Sequence, residues 1–242
     1  MNGNATILAC NKILNRLIEF AKKVLQTKEV DLLTIDNGIV LINGVKSELK
    51  WDELINKAYL NRVSLSAQAY YSTPEIHFDR NINQGSPFAY HVYGTAITTA
   101  VLDVIRGTYK IESVKIVHDF GKSLNKNIDV GQVEGALVQG IGWMTMEEIK
   151  YSDDGRLLAN ALSTYKIPDM YSTPENIEVE FLDNSENKFA PFNSKAIGEP
   201  PLMYGIGAYF AILDAMKSAK PDKIFELSSP LTPEKVLMGL YS

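Results

Sequence analysis

Two segments carry residues whose types and order could do chemistry. In Ser194-Lys-Ala-Ile-Gly-Glu-Pro-Pro-Leu-Met-Tyr-Gly, Glu199 precedes Pro200 and Pro201, which confine its backbone to extended conformations and fix the direction of its side chain. A carboxylate held that way suits a general base, whose oxygen must lie within hydrogen-bond reach of the proton it removes. The same residue could instead cap the following helix or pair with Lys195. In Asp129-Val-Gly-Gln-Val-Glu-Gly-Ala-Leu-Val-Gln-Gly-Ile-Gly-Trp, Gly131, Gly135, Gly140 and Gly142 punctuate an otherwise helical pattern. Each interior glycine costs about 1 kcal/mol relative to alanine, so several together ask for close approach. One reading is tight packing on a sheet or another helix. The other places Gln132 near the helix start, its amide beside free backbone N–H groups, an arrangement suited to an anionic or polar cofactor. Gln132 and Gly131 are therefore the cofactor-binding candidates and Glu199 the catalytic one.

Little else is chemically suggestive. The chain has no Gly-x-Gly-x-x-Gly, no Gly-x-x-x-x-Gly-Lys-Ser/Thr, no Gly-x-Ser-x-Gly and no His-Glu-x-x-His. His77, His91 and His118 are scattered and read as surface or structural histidines, so no metal ligand is assigned. The single cysteine, Cys10, excludes an intrachain disulfide and an iron–sulfur cluster built by this chain alone. It falls on the apolar stripe of a helix and reads as a small core residue.

These segments need a scaffold. The 242 residues, with 24 Lys+Arg against 29 Asp+Glu and a net charge of −5, are long enough for one large or two small domains with a proper core. An acidic balance without a basic cluster excludes a nucleic-acid or anionic-membrane partner. The N-terminus lacks a signal-peptide pattern and no apolar run is long enough to span a bilayer, so the expected location is the cytoplasm. Ile7, Cys10, Leu14, Leu17, Ala21 and Val24 recur at helical intervals and predict a helix over 4–26. Asn37-Gly38, between Val30–Asp36 and Ile39–Ile42, predicts a hairpin, and Trp51–Leu60 a second helix. Residues 1–61 thus read as a helix–hairpin–helix subdomain and 62–242 as the remainder, the boundary at 62 being the weaker feature. Beyond it, β-rich runs at Val63–Tyr71, Phe88–Val104 and Ile111–Asp119 flank a long connection from Thr73 to Pro87. A helix is predicted over Gly131–Ile149, a strand over Ile177–Leu182 and a last helix over Met203–Ser218. The fold class is α+β with mixed sheets and packed helices.

Taken together the motifs are recognisable. Asn2-Gly-Asn-Ala with Ala9-Cys10, Tyr71-Ser-Thr-Pro, Gly85-Ser-Pro-Phe with Tyr93-Gly94, His118-Asp-Phe-Gly-Lys-Ser-Leu-Asn, Ile128-Asp-Val-Gly-Gln-Val-Glu-Gly-Ala, Ser163-Thr-Tyr-Lys-Ile-Pro and Lys195-Ala-Ile-Gly-Glu-Pro-Pro-Leu follow one another along nearly the whole chain. In this the chain resembles the C-terminal part of the molybdenum-binding (molybdopterin) subunit of the xanthine dehydrogenase/aldehyde oxidase family. The resemblance implies the C-terminal molybdopterin-binding fold and oxidative hydroxylation of an electron-poor carbon, with water as the oxygen source. It implies a molybdenum-pyranopterin cofactor in the complete enzyme, with iron–sulfur clusters and FAD on other domains or subunits. By position, Glu199 resembles the family's general base, and Gln132 the glutamine that contacts the pyranopterin. Tyr71-Ser-Thr-Pro and Gly85-Ser-Pro-Phe-Ala-Tyr resemble the xanthine dehydrogenase branch, which favours xanthine or hypoxanthine over an aldehyde or another small heterocyclic substrate.

The resemblance starts at Met1, at a point where the family chain is already far advanced. It therefore implies that the partners are the missing N-terminal part of the molybdenum subunit and the iron–sulfur and flavin subunits or domains. The expectation is a segment or split-gene product that is inactive in isolation and exposes apolar patches. The competing expectation is a non-catalytic structural module that completes another chain.

Overall fold

The computed structural model describes residues 1–26 and 32–242, which form two compact units: Met1–Ala89 with Phe189–Pro191, and Tyr90–Lys188 with Phe192–Ser242. The division falls between Ala89 and Tyr90 and not near residue 62.

In the first unit, the helical periodicity becomes α1 (Asn2–Val24), followed by β1 (Leu33–Asp36), β2 (Ile39–Ile42), β3 (Val45–Lys50) and α2 (Trp51–Leu60). The strands form an antiparallel sheet in the order β1-β2-β3. Asn37-Gly38 and Asn43-Gly44 make its turns, all four residues having positive φ, as hairpin turns matching the strand twist require. Val30 and Asp31 of the expected first strand lie outside the described residues. Ala21, Leu33, Val40, Leu49 and Leu54 form the core.

Three expectations for this unit fail, for distinct reasons. Cys10 is exposed, because α1 buries Leu17 and Ala21 toward its C-terminal half and the stripe's first turns have no such cover. Val63–Tyr71 forms no strand and joins no sheet. Its carbonyls are taken by side chains of α1: Arg16 Nη1 donates to Ser64 O at 2.6 Å and Ser66 O at 2.8 Å, and Lys12 Nζ to Gln68 O at 2.8 Å. These bonds tie the segment to the first unit. The connection from Thr73 to Pro87 contains a small hairpin of β4 (His77–Asp79) and β5 (Gln84–Ser86).

The second unit is built on β6 (Gly94–Asp103) antiparallel to β7 (Thr108–His118), with β8 (Asn176–Phe181) parallel to β7. Ile111, Val114, Ile116 and His118 of β7 are buried. Between β7 and β8 runs α3 (Lys126–Thr145), capped by Asn125, whose side chain accepts from Ile128 N. A short 3₁₀ helix, Pro200–Gly205, leads into α4 (Ile206–Ala219). A further helix not anticipated from the sequence, α5 (Pro233–Tyr241), starts at Thr232, which accepts from Lys235 N. Its Thr-Pro start, a cap followed by proline in the first turn, was the available signal. Of the α4 residues expected in the core, Tyr209, Leu213 and Met216 are buried and Phe210 is exposed. They pack with Val114, Ile116, Val133, Leu137, Ile141, Val236 and Leu240.

The glycines of α3 fall into two kinds. A β-carbon on Gly140 would overlap Leu202 O and one on Gly205 would overlap the Gly140 backbone, while Gly142 lies against Pro168 and Glu147. A β-carbon on Gly131 or Gly135 would meet nothing within 4 Å among the described residues. Gly140→Ala is therefore expected to destabilise the chain by about 1–3 kcal/mol through overpacking against backbone. Gly131→Ala is expected to stabilise it by about 0.5–1 kcal/mol through helix propensity alone. Urea unfolding of both variants checks this, and midpoints moving in the same direction would contradict it.

Candidate functional site

The Gly140–Gly205 crossing brings together the two segments singled out by sequence. Gln132 sits on α3 and Gly198–Glu199 leads into the 3₁₀ helix; a β-carbon on Gly198 would lie 3.3 Å from Gln132 Oε1. Gln132, Gly198 and Glu199 are exposed. Glu199 holds the N-cap position of the 3₁₀ helix yet makes no side-chain cap bond, and Lys195 is engaged elsewhere. Neither alternative use of Glu199 is thus realised.

One detail of the sequence reading is corrected. α3 begins at Lys126, so Gln132 lies in its second turn, beyond the four orphan N–H groups of a helix start. Gln132 offers its side-chain amide and no free backbone donors. Gly131 and Gly135 leave the helix backbone beside it uncovered.

Behind the loop lies a buried polar cluster that sequence reasoning passed over. Lys195 Nζ meets Asp119 Oδ2 at 2.6 Å, the two side chains being 7% and 3% exposed. The ammonium also donates to His91 O at 3.0 Å. Burial alone pushes the Asp119 carboxyl up, but hydrogen bonds from Lys195, Ser185 and Gly121 N–H, with the Lys195 charge, outweigh it and hold the carboxyl below its ordinary 3.8. Removing one partner of such a pair leaves an uncompensated buried charge, at a cost of about 3–5 kcal/mol. The preceding residue, His118, is fully buried, with Nδ1 2.7 Å from the Tyr204 hydroxyl. Its Nε2 has no hydrogen-bond partner among the described residues. Burial lowers the His118 pKa below 6.5, the Asp119 charge opposing only in part, so the ring is neutral at pH 7. Burial and the Asp119 charge both raise the Tyr204 pKa, keeping its hydroxyl protonated. The signal for this cluster was Asp-Phe-Gly directly after a strand, meeting a lysine four residues before the glutamate.

His77 and His91 are exposed, and among the described residues no group of three His, Cys, Asp or Glu could hold a metal ion. Nor, among those residues, is any helix long and apolar enough to cross a membrane.

A family model described as the molybdopterin cofactor-binding domain matches residues 1–174. The chain belongs to that family. It is 41% identical over 243 residues to a xanthine dehydrogenase/oxidase of Felis catus, the match covering 98% of this chain and 17% of the relative. It is 39% identical over 198 residues to a xanthine dehydrogenase of Oryza sativa subsp. japonica, covering 77% of this chain and 14% of the relative. The chain thus spans only a small part of the length of these relatives. Among solved structures, quinoline 2-oxidoreductase from Pseudomonas putida 86 superposes with a TM-score of 0.69 at 20% identity, over 95% of this chain and 28% of that one. This last is a likeness of fold, and it supports the α+β class.

The buried cluster sets a pH dependence for the family member described here. The unfolded chain protonates His118 near 6.5 and the folded chain only at lower pH, so stability falls as pH drops below about 6.5 until the buried ring itself protonates. Asp119, with a depressed folded pKa, contributes fully above 3.8 and loses its contribution as pH falls through the folded value. The urea midpoint should therefore decline between pH 7 and pH 5, and His118→Phe should flatten that limb, whatever its effect at pH 7. A flat wild-type profile over this range would rule the assignment out.

Proposed function

We propose that this chain supplies the general base and one wall of the cofactor site in a molybdenum hydroxylase acting on a purine, xanthine or hypoxanthine. The reaction is R–H + H2O → R–OH + 2 H+ + 2 e−, with the electrons leaving through iron–sulfur clusters and a flavin carried by other domains or subunits. The observation that carries this reading is the close approach of Gln132 to Gly198, the residue before Glu199, beside the Gly140–Gly205 crossing. A carboxylate that neither caps a helix nor pairs with the nearby lysine is free to take a proton; its backbone is helical (φ −97°, ψ −46°) and not in the extended conformation expected before a proline, because it opens the 3₁₀ helix.

The donor set suits the pyranopterin. Gln132 offers an exposed amide able both to donate and to accept, and the open helix face at Gly131 and Gly135 lets a bulky polar group approach the backbone. When bound, the molybdenum cofactor supplies the centre that takes up the two electrons. The work of this chain is to hold one flank of that group through Gln132 and Gly131, and to accept at the Glu199 carboxylate the proton released as water adds to carbon. The purine preference is supported by Tyr71-Ser-Thr-Pro and Gly85-Ser-Pro-Phe-Ala-Tyr and by the xanthine dehydrogenases among the relatives.

The remainder of the molybdenum subunit is the expected partner. Within the second unit, Ile97, Leu124, Leu162, Met170 and Tyr171 are all more than 60% exposed, which suits burial against further protein.

In the assembled enzyme, Glu199→Gln should lower kcat by about 10²–10⁴-fold, the range for a lost acid–base group, with molybdenum content unchanged by elemental analysis. Turnover surviving the substitution would exclude Glu199 as the base. Loss of molybdenum together with turnover would point to a purely structural role. The purified chain alone should contain no molybdenum, and stoichiometric metal in it would refute the need for the remaining subunit.

A further inference from the structure

Resting on the reading of Glu199 as the base, we infer that Lys195 and Asp119 are its positioning residues: their buried ion pair anchors the entry to the Glu199 loop, so that the carboxylate is presented in one place. The loop is reached through two consecutive non-glycine residues in the left-handed region, Phe192 at φ 55° and Asn193 at φ 62°. Such a conformation persists only where its surroundings over-determine it, and the strand β7 extension supplies those surroundings. Lys122 N donates to Asn193 O at 3.0 Å and Lys195 N to Phe120 O at 2.6 Å. Gly121, itself at φ 72°, permits the close pairing, since a β-carbon there would overlap Asn193 O. Asn187 Nδ2 holds Ser194 O at 2.9 Å, and Ala196 N donates to the Tyr90 hydroxyl at 3.1 Å.

The ion pair is the directional member of this clamp. Both side chains are buried, and Asp119 receives Lys195, Ser185 and Gly121 N–H together, so the ammonium has one well-defined seat. The next fixed point along the chain is Pro201, buried at the start of the 3₁₀ helix that crosses α3. Only Ile197, Gly198, Glu199 and Pro200 separate the clamp at Ala196 from that point, and Gly198 and Glu199 are exposed. Glu199 therefore hangs on a short span fixed at both ends, and the Lys195 end depends on Asp119.

The test uses Asp119→Asn/Lys195→Met, which removes both charges and leaves no buried ion unpaired. Tyr90→Phe, which removes a single hydroxyl from the same clamp, serves should the double variant not fold. Hydrogen exchange on the full chain is expected to speed up by about tenfold or more at the amides of 194–199, with β7 and α3 amides little changed, as local opening requires. In the assembled hydroxylase, kcat is expected to fall by about ten- to a hundredfold with KM and molybdenum content held, the signature of a misplaced reacting group. Wild-type exchange in the loop, or a wild-type kcat in a variant whose loop exchanges faster, overturns the inference. Glu199→Gln is run in parallel. Turnover surviving that change sinks the reading of the base, whereas an inactive Glu199→Gln beside a fully active clamp variant sinks the positioning role alone.

Discussion

Gly140 of α3 and Gly205 of the 3₁₀ helix meet backbone to backbone, at a spacing neither would tolerate with a β-carbon. Much of the second unit depends on that contact. It fixes where Pro200–Gly205 lies, hence where α4 starts and how Ala208, Ile212 and Leu213 enter the core. It also decides that Gln132, two turns earlier on α3, faces Gly198 and not solvent alone. A helix carrying four glycines is poor on propensity, each costing about 1 kcal/mol. The complete burial of Val133, Leu137 and near-complete burial of Ile141, at about 1.5–3 kcal/mol for each large apolar side chain, outweighs that deficit. Packing therefore holds α3, and its glycines place the site.

The features legible in the sequence were those set locally. The Asn37-Gly38 hairpin turn, the length of α1 and the span of α2 follow from turn chemistry and periodicity, whereas β3 after Asn43-Gly44 was not anticipated. The failures mark places where a partner distant in sequence decides. Periodicity placed Cys10 on the apolar stripe, but it cannot say how far along a helix the covering residues reach, and the cover stops short of Cys10. The composition of Val63–Tyr71 is that of a strand, yet Arg16 and Lys12 satisfy its carbonyls in place of a neighbouring strand. α3 starts at Lys126 and not at Gly131, because the Asn125 side chain accepts from Ile128 N and caps the helix there.

The candidate site shows the same limit more sharply. Lys195 and Glu199 are four apart, a spacing that pairs charges on a helix. The chain between them is not helical, and Asp119, far away in sequence, takes the lysine. A buried ion pair adds little net stability once desolvation is counted, so its presence here is better understood as geometry. It sits beside a neutral buried His118, and these consecutive residues follow opposite electrostatic rules. The histidine sheds its charge because burial disfavours the imidazolium, and its Nδ1 partner, the Tyr204 hydroxyl, is uncharged. The aspartate keeps its charge because three donors converge on it, one of them the Lys195 cation.

The two kinds of glycine in α3 lead to the last step. Gly140 and Gly142 are accounted for inside the chain, since Leu202, Gly205, Pro168 and Glu147 occupy the space their side chains would need. Gly131 and Gly135 are not, because nothing in these residues approaches them. Their helix cost, together about 2 kcal/mol, has no offset among the described residues, and under the function proposed above the group that makes glycine advantageous there is the cofactor. It must approach the helix backbone on the face carrying Gln132, a few ångströms from Gly198 and the residue after it. A bulky polar cofactor meeting an amide on one side and a carboxylate-bearing loop on the other satisfies all of these conditions. A purely structural neighbour would account for the glycines but would leave Glu199 without a cap or a cation to serve.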